Sequence, residues 1–256
     1  MSWSRPLYRL YERQLVGGLH EARRPHHIGI ILDGHRRFAR SAGLADYATS
    51  YRTGMEKFEE FLAWCHELRI PAVTAWVLSV ENMERAATEL DPYLDVLMDL
   101  FGRLPERASQ LGFSIRIIGS LDLLPTTLVN SAKEAEARAP AGGWQLTIAL
   151  GYGGRQEIVD AARSLVAGLV ADGVAPEDLP SRIDAASMAA HLYTADLPDP
   201  DLVIRTSGEG RLSGFLLWQS AYAEFVFVDP FWPAFRRVDF LRALRDYARR
   251  ERRFGR

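Results

Sequence analysis

Two clusters of charged and hydroxyl side chains each follow a short apolar segment of this sequence. The first cluster consists of Asp33, Gly34, His35, Arg36 and Arg37. The second consists of Arg205, Thr206, Ser207, Gly208, Glu209, Arg211 and Ser213. Arginine carries a planar fork of N–H donors that matches phosphate oxygens, and glycine lets backbone N–H groups approach a phosphate. These residue types predict a site for a strongly anionic ligand.

Two acidic side chains are candidate ligands of a divalent cation. The arginines beside Asp33 favour its ionised form, and Glu224 lies near the start of another apolar segment. Mg²⁺ is commonly held by one or two carboxylates together with the phosphates of a substrate. We therefore predict that Asp33 and Glu224 bind Mg²⁺. The sequence has no GxxxxGK motif and no GxGxxG motif after a strand, so phosphate is indicated and a nucleotide is not.

Six short segments rich in β-branched and aromatic residues are predicted to be strands. They span residues 27–33, 71–79, 113–119, 144–153, 201–208 and 223–229. Apolar residues recur every three or four positions in 50–69 and 157–173, and this spacing predicts helices with one buried face. Strands that alternate with helices predict an α/β fold, with a mainly parallel six-stranded sheet flanked by helices in a single domain.

The carboxyl ends of the strands are the expected place for a ligand, because open parallel sheets bind ligands there. The two clusters above are therefore expected to meet at one rim. The second strand adds Ser79, Glu81, Asn82 and Arg85 to that rim. Residues 1–256 show no repeat or flexible linker, so we expect one domain with a helical arm at 1–25 and a charged tail at 248–256.

Composition restricts the class of protein further. The chain has 256 residues, of which 48% are hydrophobic, and a formal net charge of -2, so we expect a globular protein without a nucleic-acid partner. Cys65 is the one cysteine, which predicts no internal disulfide, no zinc site and a reducing, cytoplasmic location. We also expect no secretory signal and no membrane span.

Four stretches of the sequence resemble the cis-prenyltransferases, the family of undecaprenyl diphosphate synthase. They are HIGIILDGHRRFAR, LSVENMER, GYGGRQEIV and DPDLVIRTSGEGRLSGFLLWQSAYAEFVFVDPFWPAF. The similarity runs over nearly the whole chain, and the last stretch is the most specific. Within the family, the sequence is most similar to short-chain actinobacterial members that make Z,E-farnesyl diphosphate.

The resemblance implies Mg²⁺-dependent condensation of isopentenyl diphosphate with an allylic diphosphate such as geranyl diphosphate, giving a short Z-prenyl diphosphate. Catalytic roles would fall to Asp33, which binds Mg²⁺ and helps the allylic diphosphate to depart, and to Asn82, near the departing proton. Glu224 matches the second metal-binding acid. The matching substrate-binding residues are Gly34, His35, Arg36, Arg37, Phe38, Ser79, Val80, Glu81, Arg85, Arg205, Arg211, Leu212 and Ser213.

Three of these residues have simpler explanations that the sequence leaves open. Asp33 follows a strand and precedes a helix, where aspartate commonly serves as a helix N-cap. Asn82 is a residue type that often stabilises a turn by bonding to its own backbone. Glu224 could cap a strand or pair with an arginine.

The prenyl tail needs an apolar tunnel, which the family places between the sheet and the helices after its first two strands. The candidate lining residues are Phe58, Leu62, Val77, Leu94, Leu97, Met98 and Leu150. The branched side chain of Val77 could block a long product, which favours a short one.

Some residues depart from the family pattern on the allylic side. His35 stands where the family has asparagine, Phe38 replaces tryptophan, and Asp46 and Tyr51 lie near the places of a usual arginine and histidine. A histidine beside the diphosphate could titrate near neutral pH. Three alternatives therefore stay open: irregular head-to-middle coupling of two allylic units, synthesis of longer polyprenyl chains, and a non-catalytic subunit of the family.

Large apolar residues are more frequent in FLLWQSAYAEFVFVDPFWPAF than one short strand needs. Together with the resemblance, they predict a homodimer with its interface near the last strand. Peripheral contact with a membrane is left open, because the product would be greasy.

Overall fold

Six parallel strands form the centre of the structure, a computed structural model that describes residues 4–250. The strands are β1 (His27–Ile31), β2 (Ala72–Ser79), β3 (Phe113–Ile118), β4 (Trp144–Tyr152), β5 (Leu202–Arg205) and β6 (Glu224–Phe227). Their order across the sheet is β3-β4-β2-β1-β5-β6, and every neighbouring pair is parallel. The predicted α/β fold with a six-stranded sheet is confirmed.

Helices cover the sheet because parallel strands need crossover connections. They are α1 (Ser4–Gly17), α2 (His35–Ser41), α3 (Tyr47–Glu67), α4 (Ala87–Gln110), α5 (Thr126–Arg138), α6 (Gly154–Ala171), α7 (Leu179–Arg182), α8 (Ala185–Ala189) and α9 (Arg237–Arg249). The largest apolar core lies on the face covered by α3, α4, α5 and α9. A smaller core on the other face contains Trp76 stacked on Phe215.

Two of the strands that carry site residues end earlier than predicted. β1 stops at Ile31 because the N–H of Asp33 turns back to the Ile31 carbonyl, at 2.9 Å. β5 stops at Arg205 because Ser207 and Gly208 have left-handed backbone angles, with φ of 79° and 71°. A left-handed residue cannot continue an extended strand. Both strands therefore release their polar residues into loops at the same edge of the sheet.

The N-terminal arm contains α1, which packs against α9 near the other end of the chain. Arg237 joins the two helices through an ion pair with Glu12, at 3.2 Å. Residues 251–256 of the predicted charged tail lie outside the described residues. Between residues 4 and 250, no helix is both long enough and apolar enough to cross a membrane.

Candidate active site

A cavity of about 660 Å³ opens at the carboxyl ends of β1, β2 and β5. These three strands are neighbours, and Ile31 pairs with Trp76 on one side and Arg205 on the other. The cavity brings together twelve residues predicted from the sequence: Asp33, Gly34, His35, Arg36, Arg37, Ser79, Glu81, Asn82, Arg85, Arg205, Arg211 and Ser213. The expectation that the two clusters meet at one rim is confirmed.

Asp33 and Arg205 form an ion pair at the centre of this rim. Nη2 of Arg205 lies 2.7 Å from Oδ2 of Asp33, and Nη2 of Arg37 lies 3.4 Å from the same oxygen. Burial raises the pKa of Asp33, but hydrogen bonds from Arg205 and Ser207 and the charges of Arg205 and Arg37 outweigh it. The net pKa of Asp33 is lowered, so its carboxylate is ionised at neutral pH.

The N-cap explanation for Asp33 is not supported by the geometry. The cap position of α2 is occupied by Gly34, and no side chain caps that end of the helix. Gly34 has a φ of 106°, and a Cβ there would lie 2.7 Å from the ring of Phe231. Glycine is therefore required for the turn that presents Asp33 to the cavity.

Arg205 also shapes the loop that follows β5. Its Nη1 donates to the Ser213 hydroxyl at 2.8 Å and to the carbonyl of Arg211. Ser207 and Ser213 both adopt positive φ angles, of 79° and 52°. Strained backbone of this kind persists where surrounding contacts hold it, often at functional sites. The contacts of Arg205 thus hold Arg211 and Ser213 at the cavity.

Acidic side chains hold the remaining arginines in place. Glu209 accepts from Arg37 at 2.9 Å and from Arg211 at 2.7 Å. Glu89 lies 3.3 Å from Arg36 and 3.4 Å from Arg85. Neither acid was among the predicted catalytic, metal-binding or substrate-binding residues. Glu209 could have been predicted as a site residue, because it lies between Arg205 and Arg211 in the sequence. Glu89 could not, because it comes from a helix outside the motifs.

His35 points inward from the start of α2 and is only 8% exposed. Its Nδ1 faces the carbonyl of Ser50 at 3.3 Å, so Nδ1 carries the proton of the neutral ring. Desolvation by burial lowers the pKa of His35 to about 4. The expectation that His35 titrates near neutral pH is therefore wrong, because burial disfavours the charged ring.

Three polar atoms of cavity-lining residues are buried without a partner in the described part of the chain. They are Nε2 of His35, Nε of Arg205 and the hydroxyl of Tyr51. Most buried polar atoms in proteins have a hydrogen-bond partner. These three atoms, on residues that line the cavity, are exceptions to that rule.

The turn after β2 is held by Ser79 and leaves Asn82 free to face the cavity. The Ser79 hydroxyl accepts from the backbone N–H of Asn82 at 3.2 Å, at the start of a short 3-10 helix, Val80–Glu84. Ser79 therefore stabilises the turn, and the role of Asn82 stays a prediction. Phe38, Val80 and Leu212 are half-buried and do not line the cavity.

Glu224 is far from the other predicted metal ligand within the chain. It is the first residue of β6 and pairs with Leu202, while Arg205 pairs with Phe227 at the opposite end. Since β6 is parallel, its first residue lies at the amino edge of the sheet, about 10 Å from the edge that carries the cavity. Glu224 is instead paired with Arg250 at 2.6 Å. Within one chain the structure therefore does not bring Glu224 to Asp33, and metal binding by Glu224 stays a prediction.

The predicted tunnel lining is mostly closed core. Val77 lines the cavity, but Phe58, Leu62, Leu97 and Leu150 are wholly buried and do not. The other two candidates, Leu94 and Met98, do not line it either. Tyr51 and Tyr93 line the cavity on the side where the tunnel was expected.

The donor set at the rim fits a magnesium ion shared with a substrate. No three Asp, Glu, His or Cys side chains among the described residues group closely enough to hold a metal by themselves. Asp33 nevertheless presents an ionised carboxylate to a cavity that several arginines line. This combination suits Mg²⁺, which is often bound by one carboxylate and the phosphates of its substrate.

Comparison with known proteins identifies the family. The family model described as "Putative undecaprenyl diphosphate synthase" matches residues 31–255. The chain belongs to this family. As a member of the undecaprenyl diphosphate synthase family it is a prenyltransferase, which confirms the resemblance seen in the motifs.

Relatives within the undecaprenyl diphosphate synthase family match over the full length of the chain. The (2Z,6E)-farnesyl diphosphate synthase of Thermobifida fusca is 49% identical, over 98% of this chain and 97% of its own. The short-chain Z-isoprenyl diphosphate synthase of Mycobacterium bovis is 46% identical, over 98% of this chain and 96% of its own. The crystal structure of lavandulyl diphosphate synthase from Lavandula x intermedia, in complex with dimethylallyl diphosphate, has a TM-score of 0.85. It is 35% identical and covers 92% of this chain and 100% of that chain.

Proposed function

We propose that this prenyltransferase elongates a short allylic diphosphate by one isopentenyl unit, forming a Z double bond. Geranyl diphosphate and isopentenyl diphosphate would give Z,E-farnesyl diphosphate, the product named for the relative from Thermobifida fusca. The observation that carries this proposal is the cavity in which Asp33 and Arg205 are paired among further arginines. Such a cavity can accept two diphosphates side by side.

The allylic diphosphate is assigned to the side of the cavity formed by α2 and the turn after β2. Arg36, Arg37 and Arg85 lie there, each within 3.4 Å of an acidic side chain that orients it. Asp33 would hold Mg²⁺ against this diphosphate, and the ion would supply positive charge to the leaving group. Fixed donors aimed at developing charge are often the largest contribution to catalysis.

Isopentenyl diphosphate is assigned to the loop after β5. Arg205, Arg211 and Ser213 would donate to its phosphate oxygens, and Arg205 links that loop to Asp33. Two substrates held in adjacent subsites react as if at very high concentration, which can lower a barrier by about 7–11 kcal/mol.

The proposed reaction transfers a prenyl group and releases diphosphate. The bond between the allylic carbon and its oxygen breaks, and the electron pair leaves with the diphosphate. The double bond of isopentenyl diphosphate then attacks the allylic carbon, and a proton leaves the adjacent carbon to form the new double bond. Asn82, whose side chain faces the cavity, is proposed to lie near that proton.

A second candidate function is irregular coupling of two allylic diphosphates. The similarity to lavandulyl diphosphate synthase supports it, as do His35 and Tyr51, which occupy the allylic side of the cavity. The other two alternatives have less support. The closed core beyond Val77 does not favour long chains, and a non-catalytic subunit would not need the assembled rim.

The test is to identify the product. Purified protein is incubated with Mg²⁺, labelled isopentenyl diphosphate and allylic diphosphates of five, ten or fifteen carbons, and products are analysed by mass spectrometry against Z and E standards. We expect a labelled Z product one isopentenyl unit longer than the allylic substrate. Product formation without isopentenyl diphosphate would show irregular coupling instead, and no product from any pair would overturn both functions.

We also propose a homodimer, because β6 is an edge strand with two exposed aromatic residues, Phe227 at its end and Tyr222 just before its start. The cytoplasmic location and any contact with a membrane stay predictions from the sequence.

A further inference from the structure

One carboxylate bridges two arginines that belong to different sides of the cavity. Oε1 of Glu209 accepts from Nη1 of Arg37 at 2.9 Å, and Oε2 lies 2.7 Å from Nη1 of Arg211. Arg37 comes from α2, on the side assigned to the allylic diphosphate, and Arg211 comes from the loop after β5, which is assigned to isopentenyl diphosphate. We call these three side chains the Glu209 bridge. All three line the cavity, so the bridge connects the two proposed subsites.

The two ends of the bridge differ in how firmly the rest of the protein holds them. Nη2 of Arg37 also donates to the hydroxyl of Ser207 at 2.7 Å, and the Arg37 guanidinium lies 5.7 Å from the centroid of the Phe231 ring. The Arg211 side chain is 67% exposed, and Glu209 is its one ion-pair partner among residues 4–250. An exposed long side chain has many rotamers, and ordering it costs free energy. The position of Arg211 therefore depends on Glu209, and through Glu209 on Arg37.

Glu209 is placed to orient the arginines and not to bind a diphosphate itself. A carboxylate repels a diphosphate, and both of its oxygens already face arginines. Its backbone follows a fixed turn, in which the N–H groups of Ser207 and Gly208 donate to the carbonyls of Pro230 and Val228 at 2.8 and 2.9 Å. Glu209 is therefore a positioning residue whose side chain extends from an anchored loop.

A second acidic side chain also bridges two arginines, but within one subsite. Glu89 of α4 lies 3.3 Å from Arg36 and 3.4 Å from Arg85, and both arginines are on the proposed allylic side. The side chains of Glu89 and Glu209 are similarly exposed, at 20% and 25%. The two acids thus differ in what they join, because Glu89 makes no connection to the loop after β5.

We propose that Glu209 couples the two substrate subsites, so that a diphosphate bound on the allylic side raises the affinity for isopentenyl diphosphate. The allylic diphosphate fixes Arg37, the Glu209 bridge then fixes Arg211, and the second substrate meets an arginine that is already ordered. By linkage, isopentenyl diphosphate raises the affinity for the allylic substrate by the same factor. This inference rests on the proposed function, because it concerns the same two subsites.

The experiment measures this coupling by calorimetry, without turnover. The ligands are isopentenyl diphosphate and an unreactive ten-carbon allylic thiodiphosphate. Each is titrated with Mg²⁺ into protein that is free or saturated with the other, and the ratio of the two dissociation constants is the coupling factor. We expect a factor of at least about 5 in wild type, the lower end of typical couplings, and of less than about 2 in Glu209→Gln.

Two substitutions at position 209 separate the bridge from the charge. Glu209→Gln keeps the reach of the side chain and loses both ion pairs. Glu209→Asp keeps the charge but is one methylene shorter, so it does not span both arginines. Both variants should lose the coupling. With saturating allylic substrate, both should raise KM for isopentenyl diphosphate by the factor lost in binding and leave kcat nearly unchanged, which is the signature of lost substrate binding.

Two acids elsewhere serve as matched controls. Glu89→Gln removes the bridge within the allylic side, so it should alter the affinity for the allylic analogue and keep the wild-type coupling factor. Asp229→Asn removes a charge beside the same loop, since Oδ1 of Asp229 lies 3.6 Å from the position of a Cβ at Gly208. Asp229 is exposed and does not line the cavity, so this variant should bind both ligands as wild type does.

The outcomes separate this inference from the proposed function. If wild type makes a Z product but shows no coupling, or if folded Glu209→Gln couples as wild type does, the inference is wrong and the function stands. Full coupling in Glu209→Asp, or lost coupling in Asp229→Asn, would attribute the effect to charge alone and also overturn the inference. If wild type makes no Z product but its coupling is lost in both variants at 209, the proposed function fails while the Glu209 bridge stands.

Discussion

The ion pair of Asp33 and Arg205 places a negative charge inside a cluster of positive ones. The Arg205 side chain is only 6% exposed, so its charge is weakly screened by solvent. Its effect on the pKa of Asp33 keeps the carboxylate ionised, which is the form that binds a cation. Arg205 thus contacts both Asp33, at the proposed allylic subsite, and the loop after β5, at the proposed isopentenyl subsite.

A first prediction concerns the carboxylate of Asp33. Asp33→Asn keeps the shape of the side chain and its hydrogen-bond acceptor but removes the charge that would hold Mg²⁺. We expect kcat to fall by about 10²–10³ or more, with circular dichroism unchanged. Asp99→Asn, at an exposed position of α4, is the control and should be fully active. Near-normal activity of folded Asp33→Asn would contradict the assignment of the leaving-group side.

A second prediction uses the pKa of His35, which burial lowers to about 4 from an ordinary value of 6.5. Between these values the unfolded chain binds a proton at His35 and the folded chain does not, so the free energy of unfolding falls as the pH drops. By pH 5 this amounts to about 2 kcal/mol. His35→Asn removes that dependence.

Urea unfolding of both proteins at pH 7.5 and pH 5, without diphosphate, measures the effect. The difference in unfolding free energy between the two pH values should be smaller in His35→Asn by about 2 kcal/mol. Equal pH dependence in the two proteins would mean that the folded chain protonates His35 readily. His27, which is also buried with a lowered pKa, contributes equally to both and cancels.

At the scale of elements, the contact between α2 and α3 depends on Gly54, a residue of α3 that has no side chain. Alanine normally stabilises a helix by about 1 kcal/mol relative to glycine. At Gly54 the added Cβ would overlap the His35 ring, at 2.0 Å. The two helices can therefore lie this close only with glycine at 54.

A third prediction follows from that contact. Gly54→Ala should destabilise the protein by about 1–3 kcal/mol, the usual cost of overpacking. Gly102→Ala is the matched control, because Gly102 lies within α4 and has no atom within 4 Å of an added Cβ, so it should be stabilising. In a His35→Ala background, Gly54→Ala should lose its cost. A double-mutant cycle by urea unfolding measures the coupling, and additive effects would contradict it.

At the scale of the whole molecule, β6 lies at one edge of the sheet. Among residues 4–250, β6 pairs with β5 alone, and Phe227 is 42% exposed and Tyr222 77% exposed. An exposed edge strand with aromatic neighbours is a ready surface for association. The same edge carries Glu224, which is joined to Arg250 within the chain.

A fourth prediction is that this edge forms the homodimer interface. Light scattering should give wild type twice the mass of the chain at micromolar concentration, and Phe227→Glu should give the mass of one chain. Val170→Glu, a charge added at an exposed apolar position of α6, should stay dimeric. A monomeric wild type would show that there is no homodimer. A dimeric Phe227→Glu would show that the interface lies elsewhere.

The sequence by itself determined the six strands, the helices within 50–69 and 157–173, and most of the residues that gather at the rim. Strands show as β-branched segments and helices as periodic ones, and parallel strands bring the residues that follow them to one edge. Asp33, Arg205 and Asn82 could therefore be selected from local pattern and family motifs, and the structure places all three on one cavity.

Only the tertiary structure decided which acids share that cavity and where it ends. Glu224 was separated from Asp33 by the direction of β6, which becomes fixed only when the strand pairs with β5. Glu209 and Glu89 entered the site through contacts between distant segments. The pKa of His35 and the closure of the cavity by Tyr93 follow from burial and packing, and these depend on neighbours that no local stretch of sequence specifies.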